Sequence, residues 1–384
     1  MHVLVLPKWY PALPDPQLGD FIRKQMLAVA TRHRVSVIYP CAVHDLPEDT
    51  RQELDATDGA WELRCYYRPS TAASRPLRKL ANLFRYRSAL NRGVARLLRE
   101  RGKPDLVHAH ILARPVFMAW RFSLAWQIPF VASEQSSAHL NGGWLRKSWA
   151  ARRLDRMLLH KAACTTAVSP HLAAAMAGAG LGHDHVVVPN VVPGLERTLP
   201  LAGPAERFMV VADLVDATKN VSGVLRALAA ARAQGHALEL DVVGGGPDQP
   251  HLHHLARSLL LHHCVHWHGR VPQPEVLRLM AGTGTVIINS NYETFSVVTG
   301  EALASGKPVI ATRCGGPEAF ITADNGLLIP VADDAALCRA MEHMARHHHR
   351  YAPETVRASV GRRYGPQAVA DAFDRVYQQA LQHR

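Results

Sequence analysis

The stretch VIINSNYETFSVVTGEALASGKPVIA, residues 286–311, places one helical segment between two apolar runs. Val286 to Ile288 and Pro308 to Ala311 have the length and composition of buried strands. Ser296 to Ser305 predicts a helix, because glycine follows it directly and apolar residues recur along it. Strand, helix and strand in this order are typical of a parallel sheet covered by helices.

Two carboxylates flank the predicted junction between the strand and the helix. Glu301 falls inside the helix and Glu293 in the loop before it, with seven residues between them. The first amides of a helix lack intrahelical acceptors and lie at the positive end of its dipole, which suits a diphosphate. Two carboxylates beside such a terminus can serve the two ends of one nucleotide-sugar ligand.

The alternation of strands and helices runs through the chain twice, with a Pro- and Gly-broken segment, Pro189 to Pro204, between the two runs. We therefore expect an α/β protein with two Rossmann-like, doubly wound domains facing across a cleft, where ligands bind at the carboxyl ends of the strands. The predicted boundaries are residues 1–190 for the first domain, 191–206 for a linker and 207–365 for the second domain. The apolar runs expected as further strands are Val3–Leu6, Val35–Tyr39, Asp105–His108, Pro129–Ala132, Thr165–Val168, Val186–Val188, Phe208–Val211, Leu238–Val243 and Val265–His268.

Length and cysteine usage agree with a soluble intracellular protein of two domains. The 384 residues are 48% apolar, enough to bury two cores. The six cysteines are scattered without a C-x-x-C pair, which argues against a disulfide framework or a zinc ribbon. No leader pattern begins the chain and no run approaches the roughly 18 apolar residues of a membrane span. We expect a cytoplasmic location.

The net charge of +12 is concentrated in two basic segments of the first half. Leu77, Leu80, Phe84, Val94 and Leu97 recur among the basic residues of the first segment at helical intervals. This pattern fits a basic amphipathic surface that meets an anionic membrane or a phosphorylated acceptor, and it fits an ordinary solvated helix face equally well. Nucleic-acid binding is disfavoured because no recognised motif or interleaved aromatic residues accompany the arginines. The basic residues are Arg75, Arg78, Lys79, Arg85, Arg87, Arg92, Arg96, Arg99, Arg101 and Lys103, then Arg146, Lys147, Arg152, Arg153, Arg156 and Lys161.

Two other patterns favour functions that we rank lower. Gly244-Gly245-Gly246 permits close approach of a ligand, but Gln249 occupies the third glycine position of the dinucleotide fingerprint, which weakens an oxidoreductase. Histidines cluster at residues 251–268 and 343–349 without carboxylates or cysteines at metal-site spacing, so we expect structural or solvated histidines. His108 and His110 fit either a cleft lining or a buried, hydrogen-bonded pair.

Several motifs in fixed order resemble the family-4 retaining glycosyltransferases of the GT-B fold. They comprise Lys219, Gly244 to Pro247, Asn291 to Ser296, Glu301 to Ile310, Gly315 to Glu318 and Asn325 to Leu328 in the second half, and Trp9-Tyr10-Pro11, Gly19, His108-Ala109-His110, Val168-Ser169 and Val188-Pro189-Asn190 in the first. The resemblance implies transfer of a hexose-type sugar, with retention and without a metal or other cofactor. The donor would be a nucleotide-diphospho-sugar and the acceptor a hydroxyl of a glycan or lipid-linked molecule, in surface polysaccharide or glycolipid biosynthesis. A C-terminal helix, residues 366–384, would pack back on the first domain, and the protein would be cytoplasmic or peripheral on the inner face of the cell membrane.

The resemblance also implies a role for each matched residue. Glu301 would bind the ribose and Glu293 would face the donor sugar, while Lys219 would neutralise the diphosphate as a catalytic group. The remaining donor contacts would come from Thr294, Phe295, Ser296, Val297, Arg270, Val271, Gly244 and Gly19, and the acceptor side from Glu134, Gln135 and His110 with His139 as a catalytic group.

Two positions depart from the family pattern and leave other functions open. Asp213 stands where many relatives have an arginine, and Gln135 stands where relatives often carry a histidine, with His139 nearby as a substitute. A catalytically weak partner subunit that binds a sugar nucleotide therefore remains an alternative, as does a sugar-nucleotide epimerase of similar fold.

Overall fold

The computed structural model describes residues 1–112, 114–182, 184–199 and 203–382. The chain divides into two compact units. Unit 1 comprises Met1–Val191 together with Pro366–Arg384, and unit 2 comprises Val192–Gly365. The described part of the segment that we expected to be a linker belongs to unit 2 from Val192 onward.

Unit 1 is built on an eight-stranded sheet in the order β3-β4-β2-β1-β5-β6-β7-β8. Its central strands are buried along their whole length, as the continuous apolar runs predicted, because helices cover both faces of such a sheet. The strands are β1 (His2–Pro7), β2 (Arg34–Ala42), β3 (Thr50–Asp55), β4 (Trp61–Tyr67), β5 (Leu106–His110), β6 (Phe130–Glu134), β7 (Cys164–Ala167) and β8 (Val186–Val187).

The edge of this sheet differs from the parallel arrangement that we expected. β3 pairs with β4 in antiparallel register, whereas the other strand pairs of the sheet are parallel. β3, with the sequence TRQELD, is mostly exposed and has one large apolar residue, Leu54. A polar edge strand lacks an apolar run, so the sequence did not predict it. β4 and the strand Gly326–Ile329 of unit 2 were not predicted either.

The helices of unit 1 cover the two faces of its sheet, and the C-terminal helix packs against α1. Val369, Phe373 and Tyr377 of that helix are buried, and the hydroxyl of Tyr377 lies 2.8 Å from Nδ1 of the buried His108. The helices are α1 (Asp20–Ala30), α2 (Arg75–Arg101), α3 (Arg114–Trp126), α4 (Trp149–Lys161), α5 (Pro170–Gly178) and α13 (Pro366–Gln382). Within the described residues, no helix has the length and apolar composition needed to cross a bilayer.

Unit 2 contains a six-stranded, fully parallel sheet in the order β11-β10-β9-β12-β13-β14. The chain runs outward from β9 through β10 to β11 and then returns to the other side of β9. β9 and β12 are paired neighbours, and the carboxyl end of this pair is therefore a topological switch point, where open α/β sheets bind ligands in a crevice. The strands are β9 (Arg207–Val211), β10 (Glu239–Val243), β11 (Val265–Gly269), β12 (Thr285–Ile288), β13 (Val309–Thr312) and β14 (Gly326–Ile329).

The helices of unit 2 alternate with these strands along the chain, as in a doubly wound fold. The helix expected after β12 is present as α10 (Val297–Ala304), bounded by Ser296 and Ser305, and Gly306 follows it with φ +69°. The other helices are α6 (Asp216–Lys219), α7 (Val221–Ala233), α8 (Gln249–Ser258), α9 (Gln273–Ala281), α11 (Asp334–His347) and α12 (Pro353–Val360).

Removing a large side chain from α13 should destabilise unit 1. Phe373 is 1% exposed, so Phe373→Ala should lower the free energy of unfolding by about 3–5 kcal/mol through the cavity it leaves. Urea unfolding followed by tryptophan fluorescence measures this, because six of the seven tryptophans belong to unit 1 and only Trp267 to unit 2. Gln378→Ala, on the exposed side of α13, is the matched control; equal effects of the two changes would contradict the packing.

Candidate functional site

Lys219 is positioned by the loop that follows β9 at the switch point of unit 2. It ends the short helix α6, and Asn220 next to it adopts a left-handed conformation with φ +45°. Asn220 also caps α7, since its side chain accepts a hydrogen bond from the amide of Gly223 at 3.2 Å. Asparagine tolerates this conformation better than most residues, so the chain turns directly from α6 into α7 and holds Lys219 at the turn.

Glu293 lies in the loop after β12, on the other side of the same switch point. Backbone and side-chain bonds join this loop to the loop after β9: the amide of Asn291 donates to the carbonyl of Thr218 at 2.8 Å, and Nδ2 of Asn289 donates to the carbonyl of Asn220 at 2.9 Å. The two loops therefore form one connected wall of the crevice in unit 2.

Lys219 and Glu293 form an ion pair across this wall. Nζ of Lys219 lies 2.5 Å from Oε1 of Glu293, and Oγ of Ser290 donates to the same oxygen at 2.8 Å. Burial alone would lower the pKa of Lys219, but the adjacent Glu293 carboxylate outweighs burial and raises that pKa above its usual value. The ammonium is thus fully charged at neutral pH.

Two glycines after β13 allow the Glu293 loop to take this position. Glu293 and Gly315 form an isolated parallel bridge, in which the Glu293 amide donates to Cys314 and the Gly316 amide donates to Glu293, both at 2.9 Å. A Cβ on Gly316 would meet three backbone atoms of Phe295 at 2.6–2.8 Å. Only glycine permits this approach, which gives a structural reason for the Gly-Gly pair noted in the sequence.

Glu301 faces a residue that the sequence did not suggest. It is 6% exposed within α10, as predicted, and Nε2 of Gln273 at the start of α9 donates to its Oε1 at 2.5 Å. The two residues are 28 positions apart and no local motif links them. The carboxylate is therefore oriented by a neighbouring helix before any ligand is present.

The residues between the two carboxylates contribute backbone groups more than side chains. Ser296 has φ +67°, and its Oγ lies 2.7 Å from Oγ1 of Thr299. The amides of Val297 and Val298 lie in the first turn of α10, where no intrahelical acceptor exists. The ring of Phe295 is 3% exposed and packs against Phe320 and Tyr364, so this side chain belongs to the core. Thr294 lies in the loop directly before these residues.

Asp213 is paired with Arg270 at the ends of β9 and β11. Nη2 of Arg270 lies 2.7 Å from Oδ1 of Asp213 and donates to the carbonyl of Gly245 at 3.1 Å. Gly244, the first residue of this glycine turn, has φ +131° and leaves no room for a Cβ beside Ala212. The pair is more than half exposed and contributes little to stability, but it orients the guanidinium at the carboxyl edge of the sheet, with Val271 next in the chain.

A second cluster lies in unit 1, at the end of β6. Glu134 accepts hydrogen bonds from the amides of Leu112, Gln135 and Ser136 at 2.7–2.8 Å, and Nε2 of His139 lies 3.4 Å from its Oε2. Burial alone would raise the pKa of Glu134, but His139 and the amides lower it below its usual value. The expected acceptor residues Glu134 and Gln135 therefore lie beside His139.

The histidines of β5 form a buried pair in this cluster. His108 and His110 are both 0% exposed, their rings lie 4.1 Å apart, and Nε2 of His108 lies 2.6 Å from Oγ of Ser133. Burial lowers the pKa of His110 to about 3, and it lowers the pKa of His108 as well. Of the two arrangements that the sequence left open, the buried pair is observed.

Gly19 lies in the loop after β1 of the same unit. It has φ +73°, and a Cβ there would meet the backbone of Trp9 at 2.4 Å, so the loop 8–19 can close only around glycine. Across the described residues, no group of three or more histidine, cysteine or acidic side chains is placed to hold a metal ion. Among the clustered histidines, His253 packs on Trp267 and His343 on His347.

Both halves of the chain match family models of glycosyl transferases. Residues 22–191 match the glycosyl transferase 4-like domain, and residues 198–352 match the glycosyl transferases group 1. The chain belongs to the family-4 glycosyltransferases of the GT-B fold. The glycogen synthase of Mycobacterium tuberculosis is 26% identical over 257 residues, which are 62% of this chain and 59% of that protein. The chain thus spans less than two thirds of that curated relative.

Solved glycosyltransferase structures share the fold of the whole chain. Sucrose-phosphate synthase from Thermosynechococcus elongatus superposes with a TM-score of 0.76 at 17% identity, covering 100% of both chains. HepE from Anabaena, solved in complex with UDP, superposes with a TM-score of 0.74 at 18% identity and covers 98% of this chain and 100% of that one. The GT-B fold expected from the sequence is confirmed.

The close contact at Gly316 can be tested by adding one methyl group. Gly316→Ala should force the Phe295 backbone away, at a cost of about 1–3 kcal/mol for overpacking. The melting temperature should then fall by about 2–10 °C. Gly282→Ala is the control, because its nearest neighbour lies 3.5 Å from the added Cβ and its φ is negative. An unchanged melting temperature for Gly316→Ala would contradict the close contact.

Burial of His110 makes the stability of unit 1 depend on pH. Because its pKa falls from an ordinary 6.5 to about 3 on folding, the unfolded chain binds the proton first. The free energy of unfolding is therefore unaffected by this group above pH 6.5 and falls as the pH is lowered. Between pH 7 and pH 5 the loss from His110 is about 2 kcal/mol. Urea unfolding at both pH values should show a smaller loss in His110→Gln than in the unmodified protein; an identical loss would contradict the assignment.

Proposed function

We propose that this chain transfers a hexose from a nucleotide-diphospho-sugar to a hydroxyl of a glycan or lipid-linked acceptor, with retention of configuration and without a metal. The observation that carries the proposal is the Lys219–Glu293 pair at the switch point of unit 2, next to the N-terminus of α10. A cation, the amides of a helix N-terminus and an oriented carboxylate at one switch point match the phosphates and sugar of such a donor.

The diphosphate would be held by Lys219 and the first amides of α10. The bond between the anomeric carbon and the diphosphate oxygen breaks as the acceptor oxygen bonds to that carbon, and negative charge grows on the leaving diphosphate. Lys219 is already charged and held in place, so it stabilises this charge without reorganisation. Attack from the face that the diphosphate leaves would retain the configuration, and the leaving phosphate is the nearest base for the acceptor proton.

Glu293 and Glu301 would contact the two ends of the donor. The Glu293 carboxylate is oriented by Lys219 and Ser290 through Oε1, which suits contact with a hydroxyl of the donor sugar. Glu301, oriented by Gln273, suits the paired hydroxyls of a ribose, because a carboxylate accepts two hydrogen bonds. Arg270, Val271 and Gly244 lie at the ends of neighbouring strands and would meet the base or its phosphates.

The acceptor would use the buried polar cluster of unit 1. Glu134 is ionised and held by three amides, and His139 lies beside it, so the pair presents a fixed acceptor and donor of hydrogen bonds. Gln135 and His110 extend this cluster, and the loop around Gly19 closes it. Such an arrangement suits a polyhydroxylated acceptor, as in surface polysaccharide or glycolipid synthesis.

UDP is the first nucleotide to test, because HepE, which shares the fold of the whole chain, is solved with UDP. Thermal-shift screening of UDP, GDP and ADP, each with its sugar conjugates, would identify the base and the sugar. Addition of EDTA should leave both binding and transfer unchanged. Nucleotide binding without transfer or hydrolysis of any conjugate would favour a sugar-nucleotide-binding partner subunit, and conversion of the conjugate without an acceptor would favour an epimerase.

Replacement of the two carboxylates should separate binding from turnover. Glu301→Ala removes charge-assisted hydrogen bonds worth about 1.5–3 kcal/mol, so the Kd for the nucleotide should rise about ten- to a hundredfold. Glu293→Ala should lower kcat at least about tenfold while the Kd changes little, because Lys219 remains to bind the phosphates. Calorimetry and steady-state kinetics measure the two effects.

Glu275→Ala serves as the matched control for both variants. Glu275 lies in the same unit on α9, and it pairs with Arg278 at the surface. Its removal should leave Kd and kcat unchanged. If Glu301→Ala and Glu293→Ala behaved like this control, the site assignment would be wrong.

A further inference from the structure

The N-terminal three turns of α2 carry no buried residue, although the rest of the helix packs on the sheet of unit 1. From Tyr86 onward the helix contacts β2 and β4 through residues that include Leu90, Val94 and Leu97. From Arg75 to Arg85 every side chain is exposed or half-exposed. Two hydrogen bonds join this segment to the chain before it: the amide of Ser70 donates to Oδ1 of Asn82 at 2.7 Å, and Nη1 of Arg85 donates to the carbonyl of Arg68 at 2.5 Å. No residue of the segment 75–85 is buried, and we call it the α2 arm.

Four large apolar side chains are exposed on the α2 arm. The exposed fractions are 61% for Leu77, 50% for Leu80, 46% for Leu83 and 61% for Phe84. Leu77, Leu80 and Phe84 are spaced three and four positions apart, so they share one helical face. Scattered exposed leucines are normal, but four such residues within eight positions form a patch that marks an interaction surface.

The same helix carries a strong excess of positive charge. α2 has nine lysine and arginine residues and a single carboxylate, Glu100, which pairs with Arg96. In the part of the chain that the structure describes, Arg75, Arg78, Lys79 and Arg87 form no ion pair with a carboxylate. These cations are therefore available to an anionic surface.

Charge decides which occupant fits the α2 arm. A second copy of the arm would bring four cations against four, with no carboxylate in the arm to offset them, and like charges at close range repel. An anionic bilayer accepts both features at once, since the apolar face enters the acyl boundary while the cations meet headgroups at roughly 1 kcal/mol each. A fluid interface also requires no shape complementarity from a single protruding helix.

We propose that the α2 arm docks this protein on anionic lipid bilayers, with Leu77, Leu80 and Phe84 inserted at the interface and the surrounding basic residues on the headgroups. Docking of this kind would bring unit 1, which we assign to the acceptor, to a lipid-linked substrate. Binding to vesicles requires no glycosyl transfer. Its failure would therefore leave the proposed reaction standing, and its success would not depend on that reaction.

Co-sedimentation of the full chain with large unilamellar vesicles tests the proposal. Vesicles of phosphatidylcholine and phosphatidylglycerol at a ratio of three to one should bind the protein at least tenfold more tightly than vesicles of phosphatidylcholine alone. Raising the salt concentration should weaken this binding, because screening shortens the reach of the charges. Equal binding to both vesicle types, or none to either, would overturn the proposal.

Three variants assign the binding to the α2 arm. Leu77→Ser/Leu80→Ser/Phe84→Ser removes the apolar face and Arg75→Glu/Arg78→Glu/Lys79→Glu reverses the charge, and each should reduce binding at least tenfold while circular dichroism and melting temperature stay the same. Arg257→Glu/Arg339→Glu/Arg350→Glu, at exposed positions of unit 2, makes the same change in net charge and should keep vesicle binding. Equal losses of vesicle binding in the two charge-reversed variants would show that binding depends on net charge alone, which would overturn its assignment to the α2 arm.

Two further measurements test the alternatives, which are membrane contact through α4 and self-association through the α2 arm. Trp149→Ser removes a different exposed apolar residue of unit 1, and loss of binding in that variant alone would move the contact to α4. Size-exclusion chromatography with light scattering detects self-association. A dimer of the unmodified protein that the Leu77→Ser/Leu80→Ser/Phe84→Ser variant converts to a monomer would overturn the proposal in favour of a second copy.

Discussion

The contact between the backbones of Gly316 and Phe295 sets the geometry of the candidate site in unit 2. Because no Cβ separates them, the loop after β13 lies directly against the loop before α10. That contact fixes Glu293 in a backbone bridge and, three residues later, the start of the helix whose amides face the crevice. The ion pair with Lys219 then joins this assembly to the loop after β9. One steric constraint thus places a carboxylate, a cation and a helix terminus together.

The sequence predicted the parts of the fold that depend on continuous apolar runs, because such runs mark strands buried on both faces. It did not predict β3, whose polar sequence TRQELD lies at a sheet edge, nor β4, in which Glu62 and Arg64 interrupt the apolar run, nor the short edge strand β14. The site shows the same division. Glu301 lies in a helix and Glu293 in a loop, as local patterns indicated. The partner of Glu301, Gln273, comes from another helix 28 positions earlier, and only the folded chain brings the two together.

Asp213 acquires a meaning in the structure that its identity alone did not suggest. Taken alone, an aspartate in place of the arginine of many relatives is a lost positive charge. In the folded unit the carboxylate holds Arg270, a cation that follows a different strand, and the same guanidinium contacts the glycine turn at Gly245. The edge of the sheet therefore presents the guanidinium that follows β11, and Asp213 in the loop after β9 is its partner.

The return of α13 to unit 1 has a consequence for biosynthesis. Unit 2 is an insertion within unit 1, since the chain leaves unit 1 after Val191 and re-enters it at Pro366. On the ribosome, unit 2 is complete before the residues of α13 have been made. Val369, Phe373 and Tyr377, which fill the core beside α1 and His108, are therefore added after unit 2. Until they emerge, the nascent first unit exposes an apolar surface that α13 has yet to cover, and termination before α13 would leave that surface open to chaperones or aggregation.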